Sequence, residues 1–221
     1  MANKTSTSSY QPGRNINDIR KLYGLQKVIK LASNENPLGP SKKAISAANK
    51  IIQSINRYPD SKSVDLKYAI LKNISKRNIL ASNIIIGNGS NEILELVARK
   101  YLNNKSEVLF FKYSFLVYKI ISNTMKAKII ESKSIKEKGK DFMGIDLVSM
   151  KSKITNKTKV IFIANPGNPT GTIVPISEIE KFIKNISKKI IIVIDEAYYE
   201  YSSHYGFKSA VNLLGKYKNI V

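Results

Sequence analysis

Strand-like and helix-like stretches alternate from residue 84 to residue 194, which predicts an α/β fold of three layers, α/β/α, around a mostly parallel sheet. Three observations carry this expectation. The strand candidates at residues 108–111, 160–164 and 190–194 are short apolar runs without polar alternation, as in strands covered on both faces. The stretches between them run to about ten residues with apolar positions three and four apart, the pattern of a helix with one buried face. Turn-forming residues gather directly after strands, at 87–90 and 165–171, where open α/β sheets hold their sites.

The elements follow in order. Residues 1–30 mix polar and apolar positions around a Pro12-Gly13 break, with a short helix over 19–25, and read as an N-terminal arm. Residues 31–40 are dense in turn formers, and Pro40-Ser41 opens a helix to about residue 54. Tyr58 precedes Pro59 and is pushed out of the helical region, so residues 56–60 form a turn. A helix over 64–75 carries Leu66, Ala69, Ile70 and Ile74 on one face. Strand 84–86, the turn Gly87-Asn88-Gly89-Ser90 and a helix over 91–102 come next, the helix apolar through Ile93, Leu94, Leu96 and Val97. The remainder reads as strand 108–111, helix 114–123, strand 128–131, helix 147–154, strand 160–164, helix 177–186 and strand 190–194. Residues 131–141 form a charged, irregular connection, and residues 218–221 look like the start of a further strand.

Composition excludes several chemistries. With 43% hydrophobic and 24% charged residues the 221-residue chain is globular, and no apolar run approaches a membrane span. The N-terminal stretch is polar and lacks a signal peptide's apolar region, so the cytoplasm is the expected location. The absence of cysteine removes disulfides, thiolate catalysis and Cys-ligated metals, and the single histidine, His204, reads as a loop residue rather than a catalytic or metal-binding one. Lys and Arg number 37 against 16 Asp and Glu, a net charge of +21. Only five of the basic residues are arginines, and the lysines are scattered rather than striped, so no nucleic-acid partner is expected.

Three turns carry site-like residues. Gly87-Asn88-Gly89-Ser90-Asn91-Glu92 opens a helix, and free N–H groups at the positive end of a helix dipole make an anion cup. Asn165-Pro166-Gly167-Asn168-Pro169-Thr170-Gly171 holds two prolines and two glycines, a constrained loop that presents the Asn168 amide in one direction. Asp195 ends the run 190–194 with Tyr198 three residues on, a carboxylate and a phenol within reach of one ligand. The apolar-Asp-Glu-Ala run also resembles a Walker B strand, but no G-x-x-x-x-G-K-[ST] loop accompanies it. An anion cup, an amide, a carboxylate and a phenol suit a cofactor with a phosphate, a ring cation and an oxyanion.

These segments, together with Ser33-Asn34-Glu35-Asn36-Pro37 and Arg57-Tyr58-Pro59-Asp60, resemble the fold-type I pyridoxal-phosphate aminotransferases, and within them the histidinol-phosphate aminotransferase branch, over residues 31–221. The resemblance implies a pyridoxal 5′-phosphate-binding large domain over residues 31–221, its substrates being a small-molecule amino donor and a 2-oxo acid. By it, Asp195 pairs with the pyridine nitrogen, Asn168 and Tyr198 reach O3′, and Gly89, Ser90 and Asn91 hold the phosphate. Phe115 stacks on the ring, Tyr58 reaches the phosphate of a neighbouring subunit in a homodimer, and Asn34 and Asn36 lie near the substrate. The family often has Asp where Asn91 stands. An aromatic aminotransferase or a threonine-phosphate decarboxylase on the same scaffold, or a cofactor-binding module without catalysis, stays open.

One departure matters. The family's Schiff-base lysine stands about thirty residues beyond the aspartate in a Ser-x-Ser-Lys-like segment. Here 221 − 195 = 26 residues follow Asp195, and Lys208, Lys216 and Lys218 have a different context. The expectation is an N-terminal fragment: a truncated large domain without the catalytic lysine or the C-terminal small domain, inactive by itself, its sheet ending in an uncovered edge.

Overall fold

The computed structural model describes residues 13–74, 79–135 and 143–221, and the chain divides into two units, Met1–Lys62 and Ser63–Val221. The middle of the charged connection and the first twelve residues of the arm lie outside the described residues.

The first unit holds α1 (Ile16–Tyr23) and α2 (Lys42–Ile51), the latter continuing as a 3-10 turn at Ile52–Ser54. Each helix starts where a small polar side chain takes over an orphan N–H: Asn15 Oδ1 accepts from Asn17 N and Ser41 Oγ from Ala44 N. Gly24 ends α1 in the left-handed region at φ 63°. Neither helix buries a residue.

In the second unit α3 (Val64–Ile74) and a 3-10 turn at Ala81–Asn83 lead to α4 (Ser90–Tyr101). Then come β1 (Glu107–Phe111), α5 (Leu116–Thr124), β2 (Lys128–Ser132), α6 (Leu147–Ser152), β3 (Thr158–Ala164), α7 (Ile176–Lys184), β4 (Ile191–Asp195) and α8 (Tyr199–Ser203). Among the described residues the four strands form one parallel sheet in the order β2-β1-β3-β4. Strand side chains alternate between its faces. Leu109, Phe111, Ile161, Ile163, Ile192 and Ile194 pack on one face with Met150 of α6 and Ile179, Phe182 and Ile183 of α7. Val108, Phe110, Val160, Phe162, Ala164 and Val193 pack on the other with Leu94, Val97 and Ala98 of α4 and Tyr118 and Ile121 of α5. Burial on both faces is why the central strands show no polar alternation.

Residues 84–86 do not form the expected strand. Ile84 and Ile86 are half-buried, Ile85 is 71% exposed, and the run pairs with no strand. A strand needs a partner backbone, and the run pairs with none of the four strands in the order β2-β1-β3-β4; three apolar residues supply a propensity but no partner. The connection expected to be irregular from residue 131 starts later, because β2 runs to Ser132 and Ser134 pairs antiparallel with Ile145. Residues 219–221 lie along the outer side of β4: Ile192 N donates to Asn219 O at 2.8 Å and Ile194 N to Val221 O at 2.8 Å. The helix α8 and a 3-10 turn at Ala210–Leu213 had no counterpart in the sequence pattern.

Candidate functional site

From β1 the chain passes through α5 to β2 on one side, and from β3 through α7 to β4 on the other. The carboxyl ends of β1 and β3 therefore flank a topological switch point, the place where an open α/β sheet leaves a crevice. A cleft is found there, lined by Ser90, Phe115, Ala164, Pro166, Asn168, Asp195, Ala197 and Tyr198. Five of these, Ser90, Phe115, Asn168, Asp195 and Tyr198, were expected from sequence; they arrive from the start of α4, three βα turns and one strand end.

Asp195 is the last residue of β4 and half-buried. Its Oδ2 accepts a hydrogen bond from the Tyr118 hydroxyl at 2.8 Å, and its Oδ1 accepts from Ala197 N at 3.2 Å. Tyr118 is fully buried in α5 and stacks on Phe162 with ring centroids 4.7 Å apart and planes 9° off parallel. Burial, then the neighbouring Asp195 charge, pushes the Tyr118 phenol far above its ordinary pKa, so it stays a donor.

The Asn168 loop is braced by Asn165, which the sequence showed only as part of the turn, and by the two glycines expected to constrain it. Asn165, buried at 6% exposure, clamps the loop's far end: its Nδ2 donates to Val174 O at 2.9 Å and its Oδ1 accepts from Val174 N at 2.8 Å. Gly167 N donates to Thr172 O and Gly171 N to Gly167 O, both at 2.8 Å. A Cβ on Gly167 would sit 2.7 Å from Thr170 Oγ1, so any larger residue forces the loop or that side chain to shift. The peptide bonds before Pro166 and Pro169 are both cis.

The turn expected to form an anion cup is the start of α4. Its N-cap is Gly89, at φ 76° and without a side chain to cap the first turn, which leaves the N–H groups around Ser90 and Asn91 for a ligand at the positive helix end. Glu92 folds back to fix the turn, its Oε2 accepting from Asn88 N at 2.5 Å. Phe115 is the N-cap of α5 and half-buried, edge-on to Tyr118 at 5.9 Å.

Asn34, Asn36 and Tyr58 belong to the first unit, whereas the cleft is built from the second. Asn34 has a left-handed backbone at φ 46°, Asn36 Oδ1 accepts from Leu38 N at 3.0 Å, and Tyr58 is fully exposed.

The donor set suits a phosphorylated pyridine: amides and a hydroxyl at a helix N-terminus, an aromatic ring, an amide and a phenol together, and a carboxylate already held by two donors. The cleft encloses about 50 Å³, below the roughly 300 Å³ at which ligand pockets begin.

Known proteins agree with this architecture. The model of the family "Aminotransferase class I and II" matches residues 26–221. Histidinol-phosphate aminotransferase 2 of Hydrogenovibrio crunogenus is 42% identical over 212 residues, which are 96% of this chain and 54% of that protein. Histidinol-phosphate aminotransferase 1 of Idiomarina loihiensis is 39% identical over 96% of this chain and 55% of its own length. The chain thus spans about half the length of the curated relatives it matches. The crystal structure of histidinol-phosphate aminotransferase from Sinorhizobium meliloti in complex with pyridoxal-5′-phosphate superposes with a TM-score of 0.81 at 18% identity, covering 95% of this chain and 55% of that one, a likeness of fold. The enzyme of that name from Clostridium acetobutylicum gives a TM-score of 0.71 at 26% identity over 85% of this chain and 52% of its own. With a matching model over most of its length and the fold and cleft to go with it, the chain belongs to the class I and II aminotransferase family.

Proposed function

We propose that the cleft holds pyridoxal 5′-phosphate and that the whole protein is a histidinol-phosphate aminotransferase, moving an amino group between histidinol phosphate, or a similar amino phosphate, and a 2-oxo acid. The observation that carries this reading is the convergence of Ser90, Phe115, Asn168, Asp195 and Tyr198 on one cleft at the switch point. When bound, the cofactor supplies an electron sink for the negative charge left at an amino acid's α-carbon once its proton departs.

The protein's own share is binding and orientation. N–H groups of Gly89, Ser90 and Asn91 hold the phosphate at the end of α4. Asp195 keeps a proton on the ring nitrogen, Asn168 and Tyr198 donate to O3′, and Phe115 covers one face of the ring. Asn34 and Asn36 face the substrate, and Tyr58 completes the phosphate site of a second subunit in a cytoplasmic homodimer. The relatives' names support the amino-phosphate donor.

Among the described residues no lysine lines the cleft. We assign to these 221 residues the non-covalent half of the site, with cofactor binding but no turnover. Equilibrium dialysis of the chain against pyridoxal phosphate, beside an amino-transfer assay with histidinol phosphate and 2-oxoglutarate, tests both parts. Saturable binding that weakens at least tenfold in Asp195→Ala is expected, without turnover. Equal binding by the variant removes the ring-nitrogen assignment, and turnover by the 221-residue chain removes the second part.

A further inference from the structure

We infer that Tyr118 is a positioning residue for the cofactor, acting through Asp195: its hydroxyl fixes Oδ2 so that the carboxylate is already turned toward a ring nitrogen before the ring arrives. The inference rests on the cofactor reading above and assigns a role to a residue outside the expected site.

Packing does not need this hydroxyl. Tyr118 is clamped by rings alone: Phe162 stacked at 4.7 Å, Phe115 edge-on at 5.9 Å and Phe110 tilted at 6.0 Å. A phenylalanine would fill the same space without burying a polar atom, and a buried hydroxyl is tolerable only with a partner. That partner is a half-buried carboxylate 77 positions away in sequence, at the end of β4 and on the cleft lining.

The two donors, Tyr118 from α5 and Ala197 N from the turn, take one oxygen each. A carboxylate accepts about two hydrogen bonds per oxygen, so both oxygens keep capacity while rotation of the group is blocked. The phenol holds its proton, pushed up by burial first and by Asp195 second, so it remains a donor to the carboxylate. A site that aligns its charge in advance loses less order on binding.

A merely structural tie between α5 and β4 predicts something different, and a ligand comparison separates the two. Dissociation constants are measured for the full 221-residue chain with pyridoxal 5′-phosphate and with its analogue carrying carbon in place of the ring nitrogen, for wild type, Tyr118→Phe, Asp195→Asn and the double variant. Wild type should prefer the natural cofactor at least tenfold. Tyr118→Phe should lose roughly three- to thirtyfold of that preference, the range of one hydrogen bond to a charged group, with the analogue's own affinity within twofold of wild type. In the Asp195→Asn background the hydroxyl should have no further effect on preference.

An unchanged preference in Tyr118→Phe overturns the inference and leaves the cofactor reading standing. Equal weakening for both ligands, or loss of the near-ultraviolet dichroism of the folded chain, makes the hydroxyl structural and also overturns it. A wild-type chain that binds neither ligand, or both alike, fails at the earlier step, the ring-nitrogen assignment itself.

Discussion

Replacing Asn165 by alanine tests the claim that the Asn168 loop is held from its far end. The Asn165 side chain satisfies both the N–H and the C=O of Val174, at 2.8 and 2.9 Å, from a position 6% exposed. Each bond contributes about 1 kcal/mol net, and a buried group left unpaired costs about 1–3 kcal/mol. Val174 is only half-buried, so water recovers part of the loss and about 2 kcal/mol is expected. In urea, at a slope of about 3 kcal/mol per M, the unfolding midpoint should fall by roughly 0.7 M. Asn165→Asp sharpens the test. It keeps the acceptor for Val174 N but sets a carboxylate oxygen against Val174 O, so at neutral pH it should be at least as damaging as alanine. Below the carboxylate's range the acid form donates again and part of the loss should return. A midpoint within about 0.2 M of wild type for Asn165→Ala, or an aspartate variant as stable as wild type at neutral pH, refutes the clamp.

Further outcomes follow from other buried groups. Burial raises the Glu196 carboxyl above its ordinary pKa, with hydrogen bonds from Ser209 and Ala210 N opposing and Glu200 adding to the rise. The folded chain then binds that proton more tightly than the unfolded one, so the associated stability is complete below the ordinary value and is lost as pH rises through the raised one. Urea midpoints of wild type against Glu196→Gln should diverge across that window, and a pH-independent difference counts against the assignment. Glu107 behaves oppositely: the Thr155 hydroxyl, with Lys128 next, lowers its pKa despite burial, so its stability is present above the ordinary value and is lost as pH falls through the lowered one. Glu107→Gln should be about 1 kcal/mol less stable at neutral pH and lack that acid-side slope in thermal melts. Gly167→Ala pushes a Cβ to 2.7 Å from Thr170 Oγ1 and 3.3 Å from Thr172 Oγ1, which should cost about 1–3 kcal/mol; a chain as stable as wild type would show that the loop yields freely.

The sheet was legible because its central strands are buried on both faces and their composition records it, as in Val160-Ile161-Phe162-Ile163. That Asp195 and Asn168 line the cleft was legible because each stands at the carboxyl side of such a run, where open α/β sheets leave their crevice. Tyr118 was not. An aromatic three positions after Phe115 on an apolar helix face reads as core, and nothing local announces a partner 77 residues later. Asn165 was seen as part of a turn and not as its clamp, since a side chain that imitates a strand partner leaves no periodic trace. Residues 84–86 mislead for the converse reason: propensity is local, whereas pairing requires an edge that only the assembled sheet offers or withholds.

The adjacent acids at the end of β4 show how one strand end serves two purposes. Side chains alternate along a strand, so Asp195 follows Val193 toward the face of α4 and α5, where Tyr118 waits, and Glu196 emerges on the side of Ile192 and Ile194. There Glu196 accepts from the Ser209 hydroxyl at 2.5 Å and from Ala210 N at 2.6 Å. Those bonds anchor the 3-10 turn whose Leu213 packs on the same face as Ile220, the residue that pairs beside Ile192. A carboxylate at a strand end can be there for solubility alone, and neither of these is. Exchanging the two roles would need a one-residue slip of β4, which would turn Ile192 and Ile194 onto the α4/α5 face and Val193 onto the other. The position of the acid on the cleft is thus fixed by the apolar residues before it, and the second acid locks the neighbouring chain against the strand that carries the first.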